Sequence, residues 1–588
     1  MTAPTQVTYA DKPWIKNYDP GIPAHLEYPD KPLHAFLTET ARRVPAATAL
    51  ISSAKVPVAG RLASELNYRQ LDELSDALAV GLINMGLKKG DRVAIIMPNT
   101  AAFVISFYAI LKAGGVVAAC NPTYPGEKMQ YQINDCDAEI VICMSLFYNT
   151  FKSVQAGTKV KKVIVTNVKE YLPFIAKTLF TIAREKKDGH RVEIQSGDVA
   201  LQDILKQYAG QKPSVEVTSD DIAIFQYTGG TTGVPKAAVS KHKALVANML
   251  QLEVILRQFK GSGDQLNFLG AIPFFHVYGM VIVVALAAYV GGKVVIIPNA
   301  RDIDEVVDCI DHFKPDLFPG VPALYNAINN HPRVKSGEAS LKSLKFCFSG
   351  SAPLPSSVRE EFERLSGSAL REGFGMSETP TASHSNPVTR EIRPKSIGLP
   401  LPDMEMKIVS LDDGITEVPV GEVGELLMHG PNMMIGYHGM PTETANALRM
   451  IDGKLWLYTG DIARMDEDGY FYIVDRKKDM ALIGGFNVYP TEVEDALKSH
   501  PAVLEVGVAA IPNPNKEGME SLKAWVVRQP GSTVTEQELI DHCAKKLAPY
   551  AVPRRISFIA ELPKTNIGKT LRRELVQMEL EELKKQQQ

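Results

Sequence analysis

Tyr227-Thr228-Gly229-Gly230-Thr231-Thr232-Gly233-Val234-Pro235-Lys236 sets three glycines, three threonine hydroxyls and one lysine within ten residues, fed by the apolar run Ile222-Ala223-Ile224-Phe225. Glycines without a Cβ let backbone N–H groups turn toward an anion, and hydroxyls and an ammonium add donors and charge, so the stretch reads as a phosphate-holding loop. A Walker A loop needs a lysine directly after its last glycine and then a hydroxyl for the metal. Here Val234 and Pro235 intervene before Lys236, and Ala237 follows it, so a metal has to be held elsewhere. A flexible Gly/Thr linker does not suit the strand-like entry or the apolar exit Ala237-Ala238-Val239.

The 588 residues exceed one ordinary core, and at ~150 residues per domain they predict about four globular units or subdomains. Lys and Arg total 64 against 67 Asp and Glu, which leaves no basic field and argues against nucleic acid as a partner. Six cysteines, at 120, 136, 143, 309, 347 and 543, form no Cys-x-x-Cys pair, which speaks against a zinc site or disulfide framework and fits a reducing cytosol. Residues 1–19 are polar, so export is not expected. The apolar stretch Met280–Val290 falls short of the ~20 residues that cross a bilayer and predicts a buried helix before a strand at 293–298.

Working outward from the loop, strands are expected at 92–97, 115–120, 138–143 and 161–166 around a helix at 101–112. After the loop the alternation resumes, with helices at 242–258 and 302–313 and strands at 266–273, 294–298, 317–319 and 346–349. This predicts an α/β fold with two parallel-sheet subdomains. From Gly398 to about Asp475, short strands and frequent turns predict a small β-rich subdomain, and the remainder an α+β domain of about 110 residues. Residues 581–588 read as a frayed, solvated end. Tyr171–Lys187 sets Leu172, Phe174, Ile175, Leu179, Phe180 and Ile182 among Lys177, Arg184, Lys186 and Lys187, and admits two readings: a basic amphipathic helix on an anionic membrane, or a surface helix packed on its own protein.

Further clusters complement the loop. Gly373-Phe374-Gly375-Met376-Ser377-Glu378 ends in a hydroxyl and a carboxylate, the oxygen donors that a hard cation such as magnesium takes. Leu457-Tyr458-Thr459-Gly460-Asp461 ends in a carboxylate suited to sugar hydroxyls, and Asp475-Arg476-Lys477-Lys478-Asp479 is a charged junction. Asn566-Ile567-Gly568-Lys569 lies in a late loop. Each alone has a plain structural alternative, such as a cap, a turn or a surface ion pair.

Together and in this order the clusters resemble the adenylate-forming superfamily of acyl-CoA synthetases, nonribosomal adenylation domains and luciferases, over about residues 30–580. The runs 227–236, 473–494 and 562–574 look most like bacterial long-chain fatty acid:CoA ligases. The resemblance implies that a fatty acid attacks the α-phosphate of ATP, with magnesium present, to give acyl-AMP and pyrophosphate, and that coenzyme A then displaces AMP. It implies that Thr228, Gly229, Gly230, Thr231, Thr232, Gly233 and Lys236 hold the β- and γ-phosphates, with Ser377 near them and Glu378 and Thr228 beside the metal. Gly350, Ser351, Ala352, Glu372, Gly373 and Phe374 would line the adenine slot, and Asp461 and Arg476 would bind ribose. Lys569 is similar in place to the family's catalytic lysine, and His276 to its histidine beside the reacting carboxylate.

The same resemblance implies an N-terminal adenylating domain at 1–475 and a mobile C-terminal domain at 476–588, hinged near Lys478, with Gly484 and Gly485 lining a thiol tunnel. An acyl tunnel would run between Phe274, Phe275, Val277, Tyr278, Val321 and the 280–290 helix. Leu482 stands where many relatives carry lysine, and Ala237 where glycine is common. A medium-chain or aryl acid:CoA ligase, an acyl-AMP ligase serving a carrier protein, and an inactive membrane-docked fatty-acid binder are the alternatives. A homodimer and contact with the inner face of the membrane stay open.

Overall fold

The computed structural model describes residues 7–228, 235–259, 265–390, 392–483, 486–512, 520–564 and 570–586. The glycine- and threonine-rich loop joins two antiparallel strands, β1 (Ile222–Tyr227) and β2 (Ala237–Lys241). Both are buried along most of their length, which is why they read as unbroken apolar runs rather than as an alternation. Among the described residues β1 and β2 belong to an eight-stranded sheet whose centre, Val116–Cys120, Arg92–Ile96, Ile140–Met144 and Lys162–Thr166, is parallel as expected. The hairpin departs from that pattern because a short loop can only reverse the chain; a parallel return needs a longer crossover.

The second sheet has nine strands among the described residues, with β3 (Phe346–Ser349), β4 (Leu370–Met376) and β5 (Thr379–Ser385) side by side toward one edge. The strand expected at 266–273 pairs only over Asn267–Gly270. Beyond it the Asn99 amide donates to the carbonyls of Gly270 (3.0 Å) and Ile272 (2.8 Å) and accepts from the Phe274 N–H (2.7 Å), replacing the ladder with a side chain. Helix Ala101–Lys112 begins where the Thr100 hydroxyl accepts the Phe103 N–H, and all of it is buried. Its terminal Lys112 ammonium meets Asp72 and Asp76 at 2.6 Å each, so the charge is paired where water is absent. The predicted buried helix 280–290 is a π-helical turn, Met280–Ala285, running into an α-helix, Leu286–Val290.

Strand β6 (Gly436–Tyr437) leaves the β-rich region to pair with β2. The β-rich subdomain itself is an antiparallel sheet that includes β7 (Lys454–Met465) and β8 (Phe471–Arg476). On the surface of the first subdomain lies α1 (Phe174–Ala183), with Ala176 buried and Phe180 against His190. Buried α2 (His242–Leu256) backs both sheets.

The C-terminal domain packs a three-stranded sheet, Val503–Pro512, Glu520–Arg528 and Arg555–Phe558, with helices Pro490–Lys498, Glu536–Ala544 and α3 (Arg572–Gln586). The frayed end expected from residue 581 is instead helix as far as Gln586. Glu579 on α3 is fully buried against the fully buried Lys523 ammonium, with Arg555 also on Glu579 at 2.6 Å, and this anchors the helix that composition alone made look solvated.

Candidate active site

β3 and β4 run parallel in register, Ser349 opposite Glu372, so Gly350-Ser351-Ala352 emerges beside Glu372-Gly373-Phe374. Ser351 has φ 71°, the left-handed region that a residue with a Cβ enters only under constraint. The Gly350 N–H donates to the Gly320 carbonyl at 3.2 Å. A Cβ on Gly350 would lie 3.5 Å from the ring of Tyr278, so that ring lies alongside the loop. The Tyr278 hydroxyl reaches the carbonyls of Gly320 and Phe348, both at 3.3 Å, tying the 276–279 segment to the ends of these strands.

His276 caps that segment, its Nδ1 accepting the Tyr278 N–H at 3.2 Å. Burial pushes the imidazole down to about 4, so it is neutral at pH 7, and with Nδ1 an acceptor the proton resides on Nε2. Burial pushes Glu372 the other way, up to about 8, against the Leu354 N–H donating to it. At pH 7 its carboxyl is mostly protonated and is therefore a donor.

The turn from β4 into β5 carries Ser377, buried, and Glu378. It closes because Gly375 has no side chain: a Cβ there would lie 1.5 Å from the Thr381 carbonyl oxygen. The Tyr437 hydroxyl donates to Glu378 Oε1 at 2.6 Å, and the Lys236 ammonium lies 5.3 Å from the centre of the Tyr437 ring. Lys236 also pairs with Glu443, and its carbonyl accepts the Thr228 N–H at 2.9 Å, closing the base of the loop. Pairing of β6 with β2 is what brings Tyr437 between the loop lysine and the carboxylate.

Asp461 on β7 faces Arg476 on β8, with Arg476 Nε 3.0 Å from Asp461 Oδ1. Asp461 first, and then Glu378, make the Arg476 guanidinium hold its proton more tightly, so this pair looks onto the same cleft. Lys478 faces it too: burial, then Arg476 and Lys236, push its ammonium down. From α3, Arg572 reaches back to Asp475 (3.0 Å), Asp479 (3.1 Å), Glu494 (3.0 Å) and the Thr491 hydroxyl (3.0 Å).

Thr228, Lys236, His276, Gly350–Ala352, Glu372–Phe374, Ser377, Glu378, Asp461, Arg476 and Lys478 thus fall on neighbouring strand ends and turns. Gly229, Gly230, Thr231, Thr232, Gly233, Gly484, Gly485 and Lys569 lie outside the described residues. Sequence reasoning missed Tyr437, Glu443 and Arg572. Of these, Tyr437 follows a glycine and precedes Pro441 and a helix, Pro441–Ala447, which marks a loop end rather than an active residue.

Of the expected acyl-tunnel wall, Phe274 and part of the 280–290 helix line a small apolar cavity with Leu50, Tyr68 and Val104; Phe275, Val277, Tyr278 and Val321 do not. As to a metal, the described residues contain no cluster of three or more His, Cys, Asp or Glu able to hold an ion. A carboxylate such as Glu378 suits a small hard cation that keeps water and anionic oxygens of a bound ligand as its other donors.

A cleft of this build, a hairpin loop with a lysine, a carboxylate turn and an Asp–Arg pair on two α/β subdomains with a small domain behind, defines a nucleotide-using enzyme. Residues 37–438 match the model of the AMP-binding enzyme, and residues 492–569 that of the AMP-binding enzyme C-terminal domain. The chain belongs to the AMP-binding enzyme family. It is 38% identical to a long-chain-fatty-acid–CoA ligase of Bacillus subtilis over 577 residues, 97% of this chain and 99% of that one. With a long-chain-fatty-acid–CoA ligase of Salmonella typhimurium it shares 36% over 570 residues, 96% and 98% of the two chains. The fold matches ATP-bound MatB from Rhodopseudomonas palustris with a TM-score of 0.78 at 26% identity, over 93% of this chain and 98% of that one. It matches a long-chain-fatty-acid-CoA ligase from Archaeoglobus fulgidus with a TM-score of 0.68 at 26% identity, over 92% and 99%.

Proposed function

We propose that the protein joins a long-chain fatty acid to coenzyme A in an ATP-dependent reaction through acyl-AMP, releasing AMP and pyrophosphate. The observation that carries this reading is the convergence of Lys236, Tyr437, Glu378, Arg476 and Asp461 on one cleft. The similarity to long-chain ligases over nearly the whole chain supports the substrate class.

Thr228, Thr231, Thr232 and Lys236, with the backbone of Gly229, Gly230 and Gly233, hold the β- and γ-phosphates, and Ser377 a phosphate beside them. Gly350–Ala352 and Glu372–Phe374 receive adenine, with Phe374 stacked on it; a protonated Glu372 has a hydrogen to give to a ring nitrogen. Asp461 accepts from the ribose hydroxyls while Arg476, 3.0 Å away, holds it in orientation. Glu378 and Thr228 are the residues that would hold magnesium, which when bound neutralises phosphate charge. His276, neutral and with its proton on Nε2, orients the acyl carboxylate by donation. Lys569 brings positive charge to the carboxylate and the α-phosphate as negative charge gathers between them.

The same lysine would obstruct a pantetheine arm, so the domain 476–588 turns about Lys478 between the half-reactions and presents Gly484 and Gly485 to the thiol. Incubation with ATP, magnesium, coenzyme A and acids of graded length, scoring AMP and thioester together, tests the whole reading. AMP and thioester should rise in step, and most with long chains. ADP as product would overturn the chemistry; preference for short or aryl acids would overturn the substrate; AMP without thioester would leave only a carrier-protein ligase. Lys569→Ala should lose adenylate formation yet still convert preformed acyl-AMP.

A further inference from the structure

One stretch of surface is left unused by this chemistry. On α1 the side chains of Phe174 (83% exposed), Ile175 (54%), Leu179 (44%) and Ile182 (79%) share one arc of the helix and point away from the protein. The opposite arc, with Ala176 and Phe180, does the packing. Four large apolar side chains in one exposed patch are more than scattered surface hydrophobes.

The polar atoms on the patch are already satisfied. The Thr178 hydroxyl donates to the Phe174 carbonyl at 2.9 Å and that of Thr181 to Lys177 at 2.8 Å, so this face enters an apolar medium without stranding a donor. Around it the acids are largely engaged: Glu170 by Lys177, Glu185 by Lys169 and Asp188 by Arg184. Exposed Lys186 and Lys187 form no ion pair among the described residues, whereas Glu193 is the one exposed acid of 170–193 in that position. The helix is held firmly, since the Tyr171 carbonyl accepts from Ser64 and the Tyr171 hydroxyl from Gln202 (3.3 Å). No helix among the described residues is long and apolar enough to cross a bilayer, so any lipid contact made by a helix here is peripheral.

We infer that α1 is a docking helix for an anionic lipid surface, its apolar arc entering the headgroup boundary and Lys186 and Lys187 meeting the lipid charge. The lipid is favoured over a protein partner because the patch is aliphatic and aromatic without a pattern of directed donors, and because its rim carries the charge opposite to anionic headgroups. Docking stands on this surface alone; its usefulness in gathering an insoluble acid rests on the long-chain reading.

The test is sedimentation of the purified full chain with vesicles of phosphatidylglycerol mixed into phosphatidylcholine, and of phosphatidylcholine alone, at low and high salt. The protein should bind the anionic vesicles, less so as salt rises, and Phe174→Ser with Ile182→Ser should weaken binding by about tenfold or more. Lys186→Glu with Lys187→Glu should remove the preference for the anionic vesicles. Both double variants change only exposed side chains, and circular dichroism and thioester formation from detergent-dispersed acid should match the parent. Failure of the parent to bind, or binding unchanged by the serine pair, overturns the proposal, as does binding that requires protein in native membranes. Vesicle binding by a protein that forms no long-chain thioester would support docking and sink the substrate reading. Thioester formation in detergent without vesicle binding would do the reverse.

Discussion

Lys236 is occupied before any nucleotide arrives, by Glu443 on one side and the Tyr437 ring on the other. Under the proposed function, an incoming triphosphate has to displace that carboxylate. Glu443 is 44% exposed, so the pair is weak, on the order of 0.2–1 kcal/mol. Glu443→Gln should therefore lower the KM for ATP by about two- to five-fold with little change in melting temperature; an unchanged or higher KM in a pyrophosphate-release assay would refute this. Glu372 supplies a pH test. Its folded pKa, about 8, stands above the 4.5 of a free carboxyl, so the folded state prefers the proton, and stability drains as pH rises from 4.5 to about 8. Glu372→Gln removes that drain: its melting temperature should match the parent's in acid, pull ahead above pH 4.5 and hold a constant lead beyond about pH 8. A lead independent of pH would refute it. At this scale the sequence disclosed the residues whose type is unusual for its setting, a lysine in a glycine loop or a carboxylate after a tight turn. It hid Tyr437 and Glu443, since Glu443 meets its lysine across 207 residues and neither sits in a telling pattern.

The turn that presents Glu378 depends on two strands touching backbone to backbone. Gly375 admits no Cβ beside the Thr381 carbonyl, whereas a Cβ on Gly373 would find its nearest atom, the His384 carbonyl oxygen, at 3.4 Å. Gly375→Ala should part β4 from β5, lower the melting temperature by several degrees and reduce adenylate formation at least tenfold, on the scale of a strained backbone near 1–3 kcal/mol. Gly373→Ala should fold like the parent. Equal melting temperatures for both variants would contradict the argument. Element existence was legible from periodicity, and helix Ala101–Lys112 was placed to the residue, because burial on all sides leaves an unmistakable apolar run. Element geometry was not: the strand cut short by Asn99 turns on a side chain 171 positions away, the antiparallel pairing on the shortness of the loop rather than on the apolar pattern, and the π-helical turn leaves no mark in an apolar run.

Across the molecule, Arg572 gathers three carboxylates, Asp475, Asp479 and Glu494, into one knot where the β-rich subdomain meets the last domain. Its side chain is 17% exposed, so removing it leaves like charges facing each other with little water. Arg572→Ala should cost about 3 kcal/mol of C-terminal stability, seen as an earlier urea transition of Trp525 fluorescence, and Arg572→Lys should restore only part. A loss below about 1 kcal/mol would mean the knot is loose in solution. The order of the motifs along the chain was legible; this meeting of residues up to 97 positions apart was not. A last consequence concerns Lys523 and Glu579. Cutting the chain after Leu571 would maroon an ammonium ion in oil, 56 residues before the carboxylate it lost. The lysine would then shed its proton or let the sheet open to solvent. A purification handle thus belongs beyond the final glutamine, and a protease nick in that terminal rod would spoil a strand more than fifty positions earlier in the chain.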